Sequence, residues 1–391
     1  MTISRLLTVG LLALVPATSV AQGCVLTASR NEKGVRHRSS VTDDGGDKRL
    51  SVLWRRDDCE LRVEARGDFS VRPDLTAITR VDEGGYIDIE ERDRNRERRL
   101  RVTSGASGLV FRWSVDGENG FDVDRDRWLG AMLVAIERRT AMFAKWRVPE
   151  LVRQGGPDLV LTEAGRMDSD YARRQYYTVL LSAARLDDTM LERMLRQVAD
   201  SMGSDYERSE ILRAVARQGP MSDRVARAAI RVAHKMSSDY EKRRALSAGL
   251  ASVNTIEARN ALFAAASTMS SDFELAELLI AAQQRSLVDS LSRASYFRAV
   301  QRMSSDYERR RTLSALLRLR PESPAVLADL LKSSEAINSD HELANLLVEF
   351  TRVTPVRGEL RELYLRAARS ISSDYEHRRA LQALLDQDRR T

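Results

Sequence analysis

The chain has 391 residues but only two cysteines and four histidines, and aromatic residues make up 6% of it. No HExxH motif or other zinc-ligand spacing occurs, so we expect no metal site. The sequence also lacks a GxSxG motif, a P-loop and a paired-glycine dinucleotide fingerprint, so we expect no cofactor and no catalytic residues. A Ser–His–Asp triad needs no local motif, and a cryptic hydrolase therefore stays open as an alternative.

Long apolar segments are missing beyond the first 21 residues. Residues 1–21 combine the early Arg5, a short apolar run and the small residues Ser19 and Ala21, which is typical of a secretory signal peptide cleaved after Ala21. The run is too short for a membrane span, and no later segment approaches the roughly 18 uninterrupted apolar residues that one needs. We therefore expect an exported, periplasmic protein without a transmembrane segment.

An even number of cysteines in an exported chain favours a disulfide, here between Cys24 and Cys59. The bond would join the mature N-terminus to the segment around Cys59. The alternative is a lipoprotein acylated at Cys24, although Ala21 and Gln22 fit the required lipobox poorly.

Neither sign of charge dominates, because charged residues make up 31% of the chain and the formal net charge is only +6. Removing Arg5 with the signal peptide lowers this charge by one, to +5. So small an excess over this length excludes a polycation, and export removes nucleic acid as a natural partner.

A Ser-Asp-Tyr-Glu phrase, or a close variant, recurs through the C-terminal part of the chain. Its aspartates, which define copies one to seven, are Asp170, Asp205, Asp239, Asp272, Asp306, Asp340 and Asp374. The period of about 34 residues, with one marked cluster per period, is the signature of a repeat solenoid. Because the tetratricopeptide pattern of Trp, Gly, Tyr and Pro is absent, we favour HEAT-like helical hairpins.

Each copy begins with a serine that we interpret as a helix N-cap, and six copies carry a glutamate three residues later. In such a capping box the serine accepts from one free N–H while the glutamate reaches back to another, and the intervening Asp suits the helix dipole. Copy one has Ser169 without the glutamate. The complete pairs are Ser204 with Glu207, Ser238 with Glu241, Ser271 with Glu274, Ser305 with Glu308, Ser339 with Glu342, and Ser373 with Glu376.

Helix breakers stand about fifteen residues after four of the aspartates, at Pro220, Asn254, Pro321 and Pro355, and we expect a second helix to begin there. Charges also alternate between neighbouring copies, which indicates a duplicated unit of two hairpins. We predict a charge ladder across adjacent hairpins, formed by Glu210, Arg244, Glu277 and Arg311.

The N-terminal region has a different pattern, with short alternating segments separated by turn residues, as in antiparallel strands. The predicted fold class is therefore α+β. We expect a small antiparallel β domain at 22–120, a helical connector at 121–166 and a HEAT-like α-solenoid of about 34-residue hairpins at 167–391, with seven repeats of which the last is a half-repeat. Within the connector we expect one helix at 124–146, a second closed by Gly155 and Gly156, and a third opened by Pro157.

The Asp and Tyr of the seven copies should lie along one edge of the stack. Such a row could bind calcium or a basic peptide. We favour a structural role instead, with the aspartates at helix starts and each tyrosine packed onto the next hairpin, because every copy keeps the same start.

The layout resembles the exported C-terminal part of membrane-embedded zinc metallopeptidases of the β-lactam-sensor antirepressor type. The resemblance is carried by residues 113–117, by Trp128 with Leu129, by the Gly155–Gly156 pair and by the seven Ser-Asp-Tyr phrases. The membrane helices and the HExxH motif of that family are absent here, so the resemblance implies no peptidase activity. It implies an envelope-facing sensory or interaction module.

We therefore expect a non-enzymatic scaffold that binds a protein or peptide partner in the cell envelope on its solenoid face. The second helices nominate Arg224, Arg231, Arg298, Arg302 and Arg366 as partner-binding residues. The alternative is a cell-wall carbohydrate binder or cryptic hydrolase centred on the β domain, with exposed aromatic side chains around Trp54, Tyr86 and Trp113. The sequence leaves the oligomeric state open.

Overall fold

A computed structural model describes residues 36–44 and 47–389 of the protein. The predicted signal peptide at 1–21 and Cys24 lie outside these residues. The chain divides into two compact units, one that ends at Glu137 and one that begins at Arg138. The boundary therefore falls within the predicted connector, so most of its first helix belongs with the strands.

The first unit contains nine described strands. They are β1 (Arg36–Asp44), β2 (Asp47–Arg56), β3 (Cys59–Arg66), β4 (Phe69–Val71), β5 (Ile78–Val81), β6 (Tyr86–Asp93), β7 (Arg96–Gly105), β8 (Gly108–Val115) and β9 (Glu118–Asn119). Seven form an antiparallel sheet in the order β1-β2-β3-β6-β7-β8-β9, and β4 pairs with β5. In β3 the apolar residues alternate with polar ones, and only the apolar set is buried, as expected for a sheet with one covered face.

The first helix, α1 (Asp122–Thr140), begins in this unit and covers part of the sheet through Trp128. The indole Nε1 of Trp128 donates to Oε2 of the fully buried Glu91 at 2.7 Å, and Arg98 donates to the same oxygen at 2.9 Å. The ring of Trp128 also lies 4.8 Å from that of Trp113. A buried carboxylate that is paired and hydrogen-bonded in this way fixes one register of helix on sheet.

The connector differs from its predicted helices. Helix α1 ends at Thr140 rather than near residue 146, because Ala141 adopts a left-handed conformation with φ of 49°. The second and third predicted helices form one kinked element, α2 (Ala144–Gly165), with the kink at Gly155 and Gly156. The sequence pattern does not indicate the break after α1, because apolar residues that are buried in the fold occur on both sides of it.

The rest of the second unit is a helical array. First helices begin at the seven motif aspartates and alternate with second helices. The first helices are α3 (Asp170–Ala183), α5 (Asp205–Arg217), α7 (Asp239–Gly249), α9 (Asp272–Gln284), α11 (Asp306–Arg318), α13 (Asp340–Val353) and α15 (Asp374–Asp388). The second helices are α4 (Asp188–Ser201), α6 (Asp223–His234), α8 (Ile256–Ala266), α10 (Arg293–Val300), α12 (Pro324–Ser334) and α14 (Glu359–Arg369).

Successive first helices contact one another, and so do successive second helices, which gives two layers of helices. The apolar core between them is built from buried Leu, Ala, Val and Met side chains with a few buried aromatic rings. A small antiparallel sheet domain followed by repeated helical hairpins confirms the predicted α+β class. Among the residues that the structure describes, none of the helices has the length and hydropathy needed to cross a bilayer.

The predicted starts of the second helices are wrong by two to four residues. The predicted starts lie in the loops, and the helices begin at Asp223 and not Pro220, at Ile256 and not Asn254, at Pro324 and not Pro321, and at Glu359 and not Pro355. The side chains of Ser222 and Thr255 cap α6 and α8, and Pro324 occupies the first turn of α12. The prolines therefore lie within the hairpin loops, and local hydroxyl caps fix the starts of α6 and α8.

Candidate interaction surface

The motif serines cap all seven first helices. In each copy the serine Oγ accepts from the backbone N–H three residues later, at distances of 3.1 to 3.4 Å. Its backbone is extended, as an N-cap requires, and the Asp that follows is the first helical residue. These caps are Ser169, Ser204, Ser238, Ser271, Ser305, Ser339 and Ser373.

The motif aspartate binds the next repeat. Oδ2 of Asp205 accepts from the backbone N–H groups of Ser237 and Ser238, both at 2.8 Å, and from the Ser237 hydroxyl. Oδ2 of Asp239 accepts from Ser270 and Ser271 in the same way, again at 2.8 Å. The other aspartates that accept a pair of N–H groups from the following copy are Asp170, Asp272, Asp306 and Asp340.

We call this contact the aspartate clip. It forms at six junctions between successive copies. Asp374 is exposed and makes no such contact with a described residue. For Asp205 burial opposes ionisation, but the N–H groups of Ser238 and Ser237 and the Ser237 hydroxyl outweigh it, so the pKa of Asp205 is lowered.

The clip corrects the predicted capping box. The box would have the glutamate accept from the N–H of its own serine, but that N–H donates to the aspartate of the preceding copy, as Ser204 does to Asp170 at 2.8 Å. The glutamate side chains contact arginines instead. This applies to the predicted acceptors Glu207, Glu241, Glu274, Glu308, Glu342 and Glu376, each of which forms an ion pair with an arginine.

Junctions from an odd to an even copy share one type of ion pair. An arginine four residues after the odd Asp reaches the glutamate of the next copy, as in Arg310 Nε to Glu342 Oε2 at 2.6 Å. Arg174 with Glu207 and Arg243 with Glu274 repeat this contact. Arg378, at the same position in copy seven, is exposed and has no partner among the described residues.

Junctions from an even to an odd copy use the predicted ladder residues. Arg244 Nη2 lies 3.1 Å from Glu210 Oε1, and Arg311 Nη1 lies 2.7 Å from Glu277 Oε1. No ion pair joins Arg244 to Glu277 in the described part of the chain, so the ladder consists of separate pairs. The two junction types alternate, which agrees with the predicted unit of two hairpins.

Sequence reasoning missed a buried cation three residues after the Asp. Arg173 is 1% exposed and donates to the backbone carbonyl of Met167 and to the carboxylate of Asp170. Lys242, also buried, donates to the hydroxyl of Thr268 at 2.8 Å, and burial lowers its pKa. Arg208 and Arg309 repeat the arginine contacts. The recurrence of a basic residue at this position is the signal that could have indicated the role.

The residue after each Asp is exposed, which contradicts the prediction that it packs onto the next hairpin. The exposed fraction ranges from 45% for Tyr171 to 71% for Tyr375. We call this set the aromatic row; it comprises Tyr171, Tyr206, Tyr240, Phe273, Tyr307, His341 and Tyr375. The hydroxyls of its five tyrosines make no hydrogen bond to another described residue. Part of each ring is therefore accessible to solvent.

Arginines stack beside several rings of the row. The guanidinium of Arg310 lies 5.2 Å from the centre of the Tyr307 ring, and Arg244 lies 5.4 Å from that of Tyr240. Both arginines also pair with glutamates, so their charge is compensated on the protein itself. At six of the seven copies the adjacent aspartate is occupied by backbone N–H groups. Among the described residues no cluster of three or more His, Cys, Asp and Glu could hold a metal ion.

The five arginines nominated for partner binding are all exposed, but their environments differ. Arg224 and Arg231 both pair with Glu192, and Arg366 lies 3.9 Å from Glu335. Arg298 on α10 and Arg302 just after it have no carboxylate partner among the described residues. The structure therefore separates the set into three compensated cations and two free ones.

Two of the three aromatic side chains on which the alternative function depended are buried in the sheet unit. Trp54 is 4% and Trp113 7% exposed, and only Tyr86 is partly exposed, with Arg101 stacked 4.1 Å from its centre. Cys59 is buried in β3, while its predicted partner Cys24 lies outside the described residues. The disulfide and the lipid anchor remain predictions.

No protein-family model matches the chain, and no curated protein matches it. One similar solved chain comes from a structure described as "Computational Design of Self-Assembling Cyclic Protein Homooligomers". The identity is 14%, with 66% of this chain and 82% of that chain covered, and the TM-score is 0.14. A likeness this weak carries no argument about fold or function. The resemblance to sensor metallopeptidases stays a prediction.

Proposed function

We propose that the protein is an exported, non-catalytic interaction scaffold of the cell envelope, which captures a protein or peptide partner on its helical array. The supporting observation is the use of the recurrent Asp, Ser and Glu side chains for contacts within and between repeats. Side chains that recur in every copy and join the copies to one another have a structural role. An array held in this way provides a surface that grows with each added repeat, which is how repeat proteins bind partners.

Arg298 and Arg302 are the two nominated arginines on this surface whose positive charge is not paired with a described carboxylate. Arg298 and Arg302 are exposed and uncompensated, so a partner carboxylate could pair with them without displacing an internal glutamate. Arg224, Arg231 and Arg366 would first have to leave Glu192 or Glu335. Arg298 and Arg302 are therefore the first candidates for mutation.

A quantitative pull-down from envelope extract tests the proposal, with the wild-type protein compared with the double variant Arg298→Glu/Arg302→Glu. We expect the variant to lose the proteins that the wild type enriches, while its thermal unfolding temperature stays the same. Arg217→Glu provides the matched control, because Arg217 is an exposed arginine without a carboxylate partner at the end of a first helix. Equal capture by both variants would show that these arginines do not bind the partner, and no specific enrichment by the wild type would contradict the scaffold role.

A further inference from the structure

The aromatic row is a repeating set of exposed side chains, and the contacts between repeats cover its rings only in part. It places one ring on each first helix, directly after the aspartate clip, so the rings repeat with the helices. Neighbouring packed helices have axes about 8–10 Å apart. Because each ring has the same position on its helix, we expect the rings of the row to recur at an interval close to this spacing.

A polyproline II helix has the same interval. It has three residues per turn and a rise of about 3.1 Å per residue, so one turn advances about 9 Å. A ligand in this conformation would bring the same side of each turn to successive rings of the row. A β-strand, with a side-chain period of about 6.6–7 Å on one face, would fall out of step within two repeats.

The charges beside the row also favour a neutral ligand. Arg243, Arg244 and Arg310 are paired with glutamates, and the neighbouring clip aspartates are occupied by backbone N–H groups. The parts of the rings that these arginines do not cover, and the tyrosine hydroxyls, remain accessible. A polyproline II chain offers apolar proline rings to the former and carbonyl groups without internal hydrogen bonds to the latter.

We infer that the aromatic row binds an extended proline-rich polypeptide in the polyproline II conformation, one turn per repeat. This inference rests on the proposed function, since it names the chemical class of a peptide partner and the surface that holds it. Other proline-recognition surfaces also use exposed aromatic side chains. Binding then costs little conformational entropy, because a polyproline II ligand is already ordered before it binds.

Fluorescence anisotropy with labelled oligoproline peptides tests the inference on the whole protein. We expect an oligoproline of twelve residues to bind, and a glycine–serine peptide of equal length not to bind. Affinity should rise as the oligoproline is lengthened from six to twelve residues, because further turns reach further rings. Equal binding of the proline and glycine–serine probes would overturn the inference, and so would affinity independent of length.

Two ring variants identify the site. Tyr240→Ala/Tyr307→Ala should weaken binding of the twelve-residue oligoproline at least tenfold, since stacking is lost at two repeats. Tyr240→Phe/Tyr307→Phe should weaken binding less than the double alanine variant, since it keeps the stacking rings and loses only the hydroxyl contacts, as Phe273 does in copy four. Phe121→Ala removes an exposed ring outside the row, and should change nothing. Unchanged binding by the double alanine variant would overturn the assignment.

The outcomes separate this inference from the proposed function. If oligoproline fails to bind while the Arg298→Glu/Arg302→Glu variant still loses captured proteins, only the proline-rich ligand is wrong. A soluble glycan chain serves as a third probe. Binding of that glycan to the row, with no binding of oligoproline, would replace the polypeptide ligand by a carbohydrate and overturn the inference.

Discussion

At the residue scale, the motif aspartate stabilises two helices at once. It occupies the first turn of its own helix, where a negative charge suits the dipole. Its carboxylate also accepts from two N–H groups at the start of the next first helix, which have no partner within that helix. Hydrogen bonds to an ionised acceptor are stronger than neutral ones. Each clip therefore joins one repeat to the next, and for Asp205 its hydrogen bonds outweigh the cost of burying the charge.

Removal of one clip should destabilise the array. In Asp239→Ala the N–H groups of Ser270 and Ser271 lose their acceptor, and we expect a loss of about 2 kcal/mol in the free energy of unfolding. Urea unfolding followed by circular dichroism measures this change. Asp374→Ala is the matched control, at the same motif position but exposed and without a clip; we expect a change below about 0.5 kcal/mol. Equal losses in the two variants would mean that the clip contributes nothing beyond the helix dipole.

The clip of Asp205 should also be sensitive to acid. Its pKa in the folded protein lies below the ordinary value of 3.8, so the unfolded chain takes up a proton first as the pH falls. The stabilisation is complete above the unfolded pKa and is lost as the pH drops through the folded one. We expect the difference in unfolding free energy between wild type and Asp205→Asn to be constant from pH 7 to pH 5 and to shrink below about pH 4. A difference that persists unchanged at pH 3 would contradict the role of ionisation.

At the scale of the element, those features that depend on the spacing of nearby residues could be predicted from the sequence. The serine caps and the apolar stripes of the helices follow from residues a few positions apart. The partner of the Ser204 N–H could not be predicted, because the competing acceptor, Asp170, comes from another repeat. Buried Arg173 was missed for a similar reason, since the carbonyls that satisfy it become close only after folding. The exposure of Tyr240 also depends on the neighbouring repeat, which no local pattern describes.

The start of α5 can be improved. In copies three and five a serine before the cap donates its hydroxyl to the preceding aspartate, Ser237 to Asp205 and Ser304 to Asp272. Gly203 holds this position in copy two, and a Cβ there would have only an ordinary contact with Asp170.

We therefore expect Gly203→Ser to stabilise the protein by about 0.5–1 kcal/mol, because it adds a hydrogen bond and removes glycine entropy from the unfolded chain. Thermal unfolding of wild type, Gly203→Ser and Gly203→Ala separates the two effects. A serine variant no more stable than the alanine variant would show that the added hydroxyl does not reach Asp170.

At the scale of the whole helical unit, stability should be distributed along the array. The helices of each repeat pack mainly against those of the adjacent repeats, so the free energy is approximately a sum of repeat and junction contributions. The two junction types differ in their ion pairs but share the clip. One weakened junction should then affect the shorter side of the array most, without opening the rest.

Asp306→Ala tests this expectation, because it removes the clip between copies five and six. We expect faster amide hydrogen exchange in helices α13–α15, which the weakened junction separates from the larger part of the array, and unchanged exchange in α3–α7. Hydrogen–deuterium exchange with mass spectrometry measures both regions in one experiment, and Asp374→Ala serves as the control. Faster exchange throughout α3–α15 would instead show that the array opens as one cooperative unit, so that a partner bound to any repeat would stabilise all of them.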